Sequence, residues 1–549
     1  MIRRLGILLL AIALASVVSM VCQAESRPLV TRHVREVTLN GQARLLGHLP
    51  ATRSMSLNIV LQMRNRAGLQ SLLQEIYEPS SPLYRQFLTV EQFTTIFGPS
   101  QADYDAVVGF AEANGFTVVG GSRDAMDVQL KGTVGAVEAA FHVSMGIYQH
   151  PTENRSFYAP DREPTADLPF QLWHISGLDN YSIPRPALVR KEVSEIHVSS
   201  NAVTGSCPDE SFCGSDMRAA YYGGTKQTGS GQNIGLLEYA GFDITDVNTY
   251  YTNAGQKRTA AVTGISTDGT SLSCLASQGC DDTEQTIDIT QALGMAPGAT
   301  TVYMYVGSSD TALLGAMSTD KPLPAQLSSS WIWEPSDPST DNPYWEKMAS
   351  QGQNFFQASG DDGRFNSGYP TWPCDAAYVT SVGGTDLETS GPGGAWMSET
   401  TWSQGGGGFW APDGIPIPSW QKTTAKGCAD CSQTLRNAPD VSANANFTFY
   451  VCADQTTCSA NLYGGTSFAA PMWAGYLSLL NEKEVAAGHK TLGFINPAIY
   501  TAGLSKGYDS DFHDITIGSN GYPATTGYDL ATGWGSPKAG NSIVGGVIE

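Results

Sequence analysis

The stretch Asn233-Ile234-Gly235-Leu236-Leu237-Glu238-Tyr239, followed by Gly241, is a near-continuous apolar run of strand length. A strand that is apolar on both faces is buried on both faces, the habit of parallel sheets covered by helices. Outward from it the pattern repeats. Thr301-Val302-Tyr303-Met304-Tyr305-Val306 is a second such run, and residues 326–329, 354–358 and 379–382 follow, each ending in small residues. Strand, loop, helix, strand in succession predicts an α/β domain over 206–549, with a central parallel sheet flanked by helices. Residues 25–175 read differently. There 57–63 alternates like a half-buried strand, 69–76 and 101–114 have helical spacing, and 116–119, 126–130 and 143–148 read as further strands, with a helix at 134–141. Strands returning around two helices predict an α+β module with a ferredoxin-like antiparallel sheet. Residues 176–205 read as a linker, with Pro184, Pro186, the run Arg190-Lys191-Glu192 and Ser199-Ser200-Asn201. Exposed polar stretches of this kind are preferred sites of cleavage.

Composition agrees with a multi-domain globular protein: 549 residues, 41% hydrophobic and 15% charged. The net charge of −21 is uneven. Residues 1–190 hold 16 basic and 16 acidic side chains, whereas 191–549 hold 15 and 36. So acidic a domain is a poor partner for nucleic acid or anionic lipid, and it suits an acidic medium. At the N-terminus, Arg3 and Arg4 precede an apolar stretch to Val21, and Cys22-Gln23-Ala24 is a tolerable cleavage site. Residues 1–24 therefore read as a signal peptide, shorter than a membrane span prefers, and the expected location is extracellular. Export makes the cysteines interpretable. Cys207 with Cys213, Cys274 with Cys280, and Cys452 with Cys458 read as local disulfides; Cys374, Cys428 and Cys431 form an odd trio with one thiol left over.

The chemistry starts at Gly464-Gly465-Thr466-Ser467-Phe468-Ala469-Ala470-Pro471-Met472, which opens an apolar helix running to Leu480. Ser467 would sit at the helix N-terminus, where free N–H groups favour developing negative charge. A nucleophilic serine needs a base, usually histidine. After residue 190 the only histidines are His197, His489 and His513, none in a His-Gly-Thr-His setting. The alternative base is a carboxylate. Glu284 and Asp288, four apart in Asp282-Thr283-Glu284-Gln285-Thr286-Ile287-Asp288, share one helix face. Two close carboxyls push their proton affinities apart, so one can act as base while the other positions it.

Gly-Thr-Ser-x-x-x-Pro, Glu-x-x-x-Asp and Ala358-Ser359-Gly360-Asp361-Asp362-Gly363 occur in the chain order of the sedolisins, the serine-carboxyl peptidases, and the sequence resembles that family. Leu237-Glu238, Ala296-Pro297-Gly298-Ala299, Ser329-Ser330-Trp331, Ser381-Val382-Gly383-Gly384-Thr385, Gly405–Phe409 and Pro439–Ala443 agree with it. Pro82-Leu83-Tyr84 and Phe87–Phe93 resemble the family's activation pro-domain, of the pro-kumamolisin type. The resemblance implies a subtilisin-like catalytic domain behind a pro-domain that acts as inhibitor and folding chaperone. It implies Ser467 as nucleophile, Glu284 as general base, Asp288 as orienting carboxylate and Asp361 as oxyanion-hole donor, with Glu238 and Trp331 extending the network. Asp362 stands where serine is common. A carboxyl donates to an oxyanion only while protonated, which points to acid activity.

Near the C-terminus, Asp514-Ile515-Thr516, Gly518 and Thr525-Thr526-Gly527-Tyr528-Asp529 combine two carboxylates with a Gly-rich backbone, a donor set that suits Ca²⁺. The segment resembles the sedolisin calcium loop, which implies carboxylates from Asp514 and Asp529 and carbonyls from Ile515, Thr525 and Gly527. The expected function is that of a secreted, monomeric, acid-active endopeptidase made as a self-processing zymogen and acting on proteins or peptides, without nucleic-acid or membrane partners. Two rival readings are a neutral subtilisin-like peptidase, which needs a histidine base, and a non-enzymatic binding protein on a decayed scaffold.

Overall fold

The computed structural model of the chain describes residues 26–191, 204–223, 226–365, 372–455 and 457–538. The signal peptide expected at 1–24 lies outside the described residues, as do 192–203 of the expected linker.

The acidic half is built on an eight-stranded sheet. Its strands lie in the order Ala261–Ser266, Thr301–Val306, Asn233–Glu238, Gln326–Ser329, Asn354–Ala358, Thr380–Thr389 and Trp396–Thr401, with Val441–Asn444 pairing beside Thr380–Thr389. All pairings are parallel except that of Trp396–Thr401. The apolar run that predicted this sheet shows why both faces are covered. Ile234 and Leu236 pack with the helices Thr283–Met295 and Thr466–Ala486, while Leu237 packs on the opposite face with Tyr305, Leu327 and Phe355. Thr283–Met295 is buried along its whole length, and Thr466–Ala486 lies across it and over the middle of the sheet. On the other face sit Asp310–Met317 and Asn342–Ser350.

The N-terminal module is a four-stranded antiparallel sheet in the order Thr117–Ser122, Asp127–Thr133, Ser54–Val60, His174–Ser176. Counted along the chain this is the 4-1-3-2 arrangement of a ferredoxin-like βαββαβ unit. Its fourth strand corrects the sequence reading. The strand expected at 143–148 forms as Met145–Gln149, but in a separate three-stranded sheet with Leu45–His48 and Ser156–Pro160. The fourth place goes to His174–Ser176, too short to show a period. The first strand runs over Ser54–Val60 rather than 57–63, because its ladder partner ends at Asp127 where the chain turns back.

One face of this sheet carries Leu57, Ile59, Val128 and Leu130 against the module's own helices Gln101–Ala113 and Val134–Phe141. The opposite face, with Val60 and Asn58, rests on the catalytic half. There Asn58 donates to Thr311 Oγ1 at 2.8 Å, and the helix Arg66–Ile76 packs on Asn342–Ser350. The segment before the sheet straps the contact: Arg32 pairs with Asp337, and Arg35 bonds Asp179 and the Glu334 carbonyl. His33 and His174, both buried, stack at 4.4 Å inside that strap.

The three local disulfides form as expected, and of the odd trio Cys428 pairs with Cys431, leaving Cys374 as a buried thiol. The linker reading needs correction over its first half. Residues 185–190 are not an exposed polar stretch: Arg185–Pro186 pairs antiparallel with Trp331–Ile332, Val189–Arg190 pairs with Tyr463–Gly464, and Ala187 between them is buried. Exposed main-chain edges on both sides of a cleft supply the hydrogen bonds that a free linker would have taken from water.

Candidate active site

The cleft lies at the carboxyl ends of the parallel strands, where open α/β sheets place their sites. Glu238 ends Asn233–Glu238, Ser330 and Trp331 follow Gln326–Ser329, and Asp361 follows Asn354–Ala358. The two central helices complete it: Glu284 sits in the first turn of Thr283–Met295, and Ser467 in the first turn of Thr466–Ala486.

The structure brings the six residues read from the sequence into one chain of contacts. The Trp331 indole N–H donates to Glu238 Oε2 at 2.9 Å. Glu238 and Asp288 interact, and Asp288 Oδ1 accepts from the Ser330 hydroxyl at 2.6 Å. Ser330 Oγ also lies 3.3 Å from the Ser467 carbonyl. That carbonyl is left over by the helix, because Pro471 four residues on has no N–H to give it. Glu284 is next to Ser467 and Asp288, and both its oxygens lack a close hydrogen-bond partner. The Ser467 hydroxyl donates to the Ala187 carbonyl at 2.6 Å.

All of these groups are buried, and burial sets their charge. It pushes Glu238, Glu284 and Asp288 well above the ordinary carboxyl range, and each is pushed further by an acidic neighbour. The cluster therefore holds protons. When it ionises, the helix N-terminus favours the charge on Glu284 over Asp288, which lies a turn deeper. Burial also raises Asp361, to about 8, against the pull of the Thr466 N–H and hydroxyl. Asp361 Oδ1 accepts both of these, at 2.8 and 2.9 Å, whereas Oδ2 has no partner. The proton thus belongs on Oδ2. Gly465 shows where Oδ2 sits: a Cβ on this residue (φ 152°) would fall 2.3 Å from the Ala187 oxygen and 2.7 Å from Asp361 Oδ2. The Ser467 N–H donates to that same Ala187 oxygen at 3.1 Å. One carbonyl is therefore bracketed by the serine N–H, the serine hydroxyl and the protonated face of Asp361. Thr466, Ser330 and Ala187 were not singled out as site residues from sequence, although Thr466 and Ser330 stand inside motifs that were.

The histidines that a subtilisin-like site would need are engaged elsewhere. His489 pairs with Glu484 at 3.2 Å, and His513 stacks on Trp396 at 3.9 Å. His197 lies outside the described residues.

Away from the cleft, Asp514 and Asp529 converge on the turn at 525–527. Asp529 Oδ2 accepts the Thr525 N–H at 2.7 Å, and Asp514 accepts the Gly527 N–H at 3.1 Å and the Tyr508 hydroxyl at 3.0 Å. Neither carboxylate has an ion-pair partner among the described residues, and no group of three or more His, Cys, Asp or Glu that could hold a metal occurs there. A buried Asp529 and a partly buried Asp514, neither with a counter-charge, fit a hard cation.

The family described as Pro-kumamolisin, activation domain, matches residues 41–180. Kumamolisin of Bacillus sp. (strain MN-32) is 28% identical, across 94% of this chain and 95% of its own. Sedolisin of Pseudomonas sp. (strain 101) is 27% identical, across 89% of this chain and 86% of its own. The solved structure of Pseudomonas sedolisin complexed with two molecules of pseudo-iodotyrostatin superposes with a TM-score of 0.50 at 24% identity, covering 61% of this chain and 96% of that one, a likeness of fold.

Proposed function

The chain belongs to the sedolisin family of serine-carboxyl peptidases and carries the family's N-terminal pro-domain, and from that premise we propose a secreted, acid-active endopeptidase that processes itself. Its domains are then the signal at 1–24, the activation pro-domain at 25–175, a connecting segment at 176–205 and the peptidase at 206–549. It acts as a monomer on protein or peptide substrates, with the pro-domain as its inhibitor and folding chaperone.

The observation that carries the reading is the Ala187 carbonyl, held by the Ser467 N–H and hydroxyl beside Asp361 Oδ2. Ser467 Oγ attacks the Ala187 carbonyl carbon while Glu284 takes the serine proton. The oxyanion is held by the Ser467 N–H and the Asp361 carboxyl. The Ala187–Leu188 C–N bond breaks, and Glu284 passes its proton to the leaving Leu188 amine. Water, deprotonated by Glu284, then releases the acyl group. Asp288, with Glu238, Trp331 and Ser330 behind it, keeps the proton that would otherwise compete for Glu284. A carboxyl that must stay protonated on Asp361 ties the reaction to acid, and water entering the opened cleft lowers its proton affinity further toward the ordinary range. Endopeptidase action is favoured by the length of the cleft: beyond Arg185 the chain continues to Ser182, whose Oγ accepts the Glu334 N–H at 3.1 Å, so the non-primed side is not closed after three residues. Asp514 and Asp529, with the Ile515, Thr525 and Gly527 carbonyls, would hold one structural Ca²⁺.

The test is maturation of the purified zymogen at acidic pH, read by N-terminal sequencing and by hydrolysis of a denatured protein across pH. A new N-terminus at Leu188, with activity lost toward neutrality and both abolished by Ser467→Ala, is the expected result. A Ser467→Ala chain that still processes itself in isolation removes the mechanism.

A further inference from the structure

The segment that fills the cleft also carries a charge. Arg185 pairs in register with Ile332, Pro186 with Trp331, and the Ala187 N–H donates to the Ser330 carbonyl at 2.8 Å. With the Ala187 carbonyl on Ser467, Arg185 is the third residue on the acyl side of the bond at the nucleophile. Its guanidinium Nη2 lies 3.1 Å from Asp362 Oδ2. Asp362 is the residue after the oxyanion-hole candidate, and its loop is pinned by main-chain bonds from Gly406 N–H to the Gly360 carbonyl at 2.7 Å and from Gly363 N–H to the Gln404 carbonyl at 2.8 Å. The loop that carries Asp362 is thus fixed relative to Ser467, and the side chain stands on it 37% exposed. When the pro-segment leaves, Arg185 leaves with it. Asp362 then loses the ion-pair partner it has among the described residues, while remaining on the path of any peptide that pairs with Trp331–Ile332.

We propose that Asp362 is a specificity-determining residue that selects an arginine or lysine three positions before the cleaved bond, Arg185 being its occupant in the zymogen. This rests on the reading of Ser467 as nucleophile and of residues 185–188 as a bound substrate strand. Arginine suits it better than lysine, since its fork keeps direction at a half-exposed carboxylate. The pair is solvent-screened, so its contribution is modest and salt-dependent.

The experiment uses the mature enzyme and three quenched-fluorescent peptides that differ at one place, carrying Arg-Pro-Ala-Leu, Ala-Pro-Ala-Leu or Glu-Pro-Ala-Leu. At low ionic strength kcat/KM for the Arg peptide should exceed that for Ala by about three- to fivefold, with Glu below Ala, the size expected of a half-exposed ion pair. Because the ion pair exists equally in the bound ground state, the difference should sit mainly in KM. Asp362→Asn should bring the Arg/Ala ratio to about one, and Asp362→Arg should turn the preference toward Glu. Ratios are taken within one enzyme, so changes in absolute rate do not enter. The wild-type ratio measured across added salt gives the same answer without a variant: it should fall toward one. Equal rates for Arg and Ala in the wild-type at low salt, or a ratio that survives Asp362→Asn, overturn the subsite while leaving the peptidase reading intact. Failure of the wild-type to cleave any of the three overturns both.

Discussion

Asp361 has to do what an aspartate at neutral pH does not do, which is to donate. Its two oxygens divide the work: Oδ1 takes the Thr466 N–H and hydroxyl, and Oδ2 is left for the proton. An amide has the same shape and donates at any pH. Asp361→Asn should therefore keep part of the activity and lose the decline toward neutral pH that deprotonation imposes on the wild-type. Identical pH–kcat/KM profiles for the two enzymes would show that Asp361 is not the titrating donor. Glu284→Gln is the counterpart, because an amide cannot accept the serine proton. It should cost about 10²- to 10⁴-fold in kcat, the usual weight of a general base. Activity within a fewfold of wild-type would exclude the carboxylate base. At this scale the sequence was informative for chemistry but not for direction. Glu284 and Asp288 could be placed on one helix face by spacing alone. That the Ser467 hydroxyl donates to the Ala187 carbonyl depends on 185–190 being threaded through the cleft, and Pro184 and Pro186 make that segment look like free linker.

Elements with strong local signals were legible, and elements defined by their partners were not. The strands at Thr301–Val306, Gln326–Ser329 and Asn354–Ala358 form as read, because a strand buried on both faces shows its apolar run to any observer. The helix Val134–Phe141 also forms as read. The helix Val90–Ile96 went unread, although Thr89 and Gln92 make a capping box. His174–Ser176 could not have been read, since three residues have no period and the strand exists only through Ser54–Val60. The loop at 514–529 is an intermediate case. Its acidic residues are visible, but their convergence depends on the turn at 525–527. Burial raises Asp529, to about 6, against the pull of the N–H groups of Thr525, Thr532 and Ala531, and it raises Asp514 as well. A cation there binds the native state and not the unfolded chain, worth about 2.7 kcal/mol at a hundredfold excess over Kd. Chelator should lower the Tm of the zymogen at neutral pH, and Asp529→Ala should lower it similarly and abolish the response to chelator. A Tm indifferent to chelator in the wild-type means that the loop is a turn held by its own backbone bonds.

The whole molecule joins a catalytic half rich in buried carboxyls that favour acid to a module held on through a buried histidine that does not. In the catalytic half, burial raises Asp361 and Asp413 to about 8, Asp375 to about 7 and Asp282 to about 6, on top of the Glu238–Asp288–Glu284 cluster. A carboxyl whose folded pKa lies above its unfolded value binds more protons when folded. Its contribution is present in full below the unfolded value near 4 and is lost as pH climbs through the folded value, here between about 4 and 8. The strap is mixed: burial raises Glu334 and Asp310 beside it, as it raises Asp127 inside the module, to about 6, while its buried histidine runs the other way. Burial, with His33 and Arg35 close by, holds His174 well below 6.5, so its neutral form is the folded one and stability falls as pH drops below 6.5. Asp337 adds to this. Burial raises its carboxyl, but Ser339 and Arg32 outweigh that and the net shift is downward, so this contact is lost as pH falls below about 4. Glu163, half-exposed, lies 3.6 Å from His33 Nδ1. Calorimetry of the Ser467→Ala zymogen, which cannot cut itself, should therefore show the transition of the catalytic half moving up as pH goes from about 7.5 to about 4.5, with that of the pro-domain held back by His174 and rising less. His174→Gln, which keeps a side chain able to bond Thr31, should let the pro-domain's transition rise further without moving the catalytic transition. If both transitions rise equally in the wild-type, or if His174→Gln leaves the pro-domain's pH response unchanged, the histidine pair is packing only.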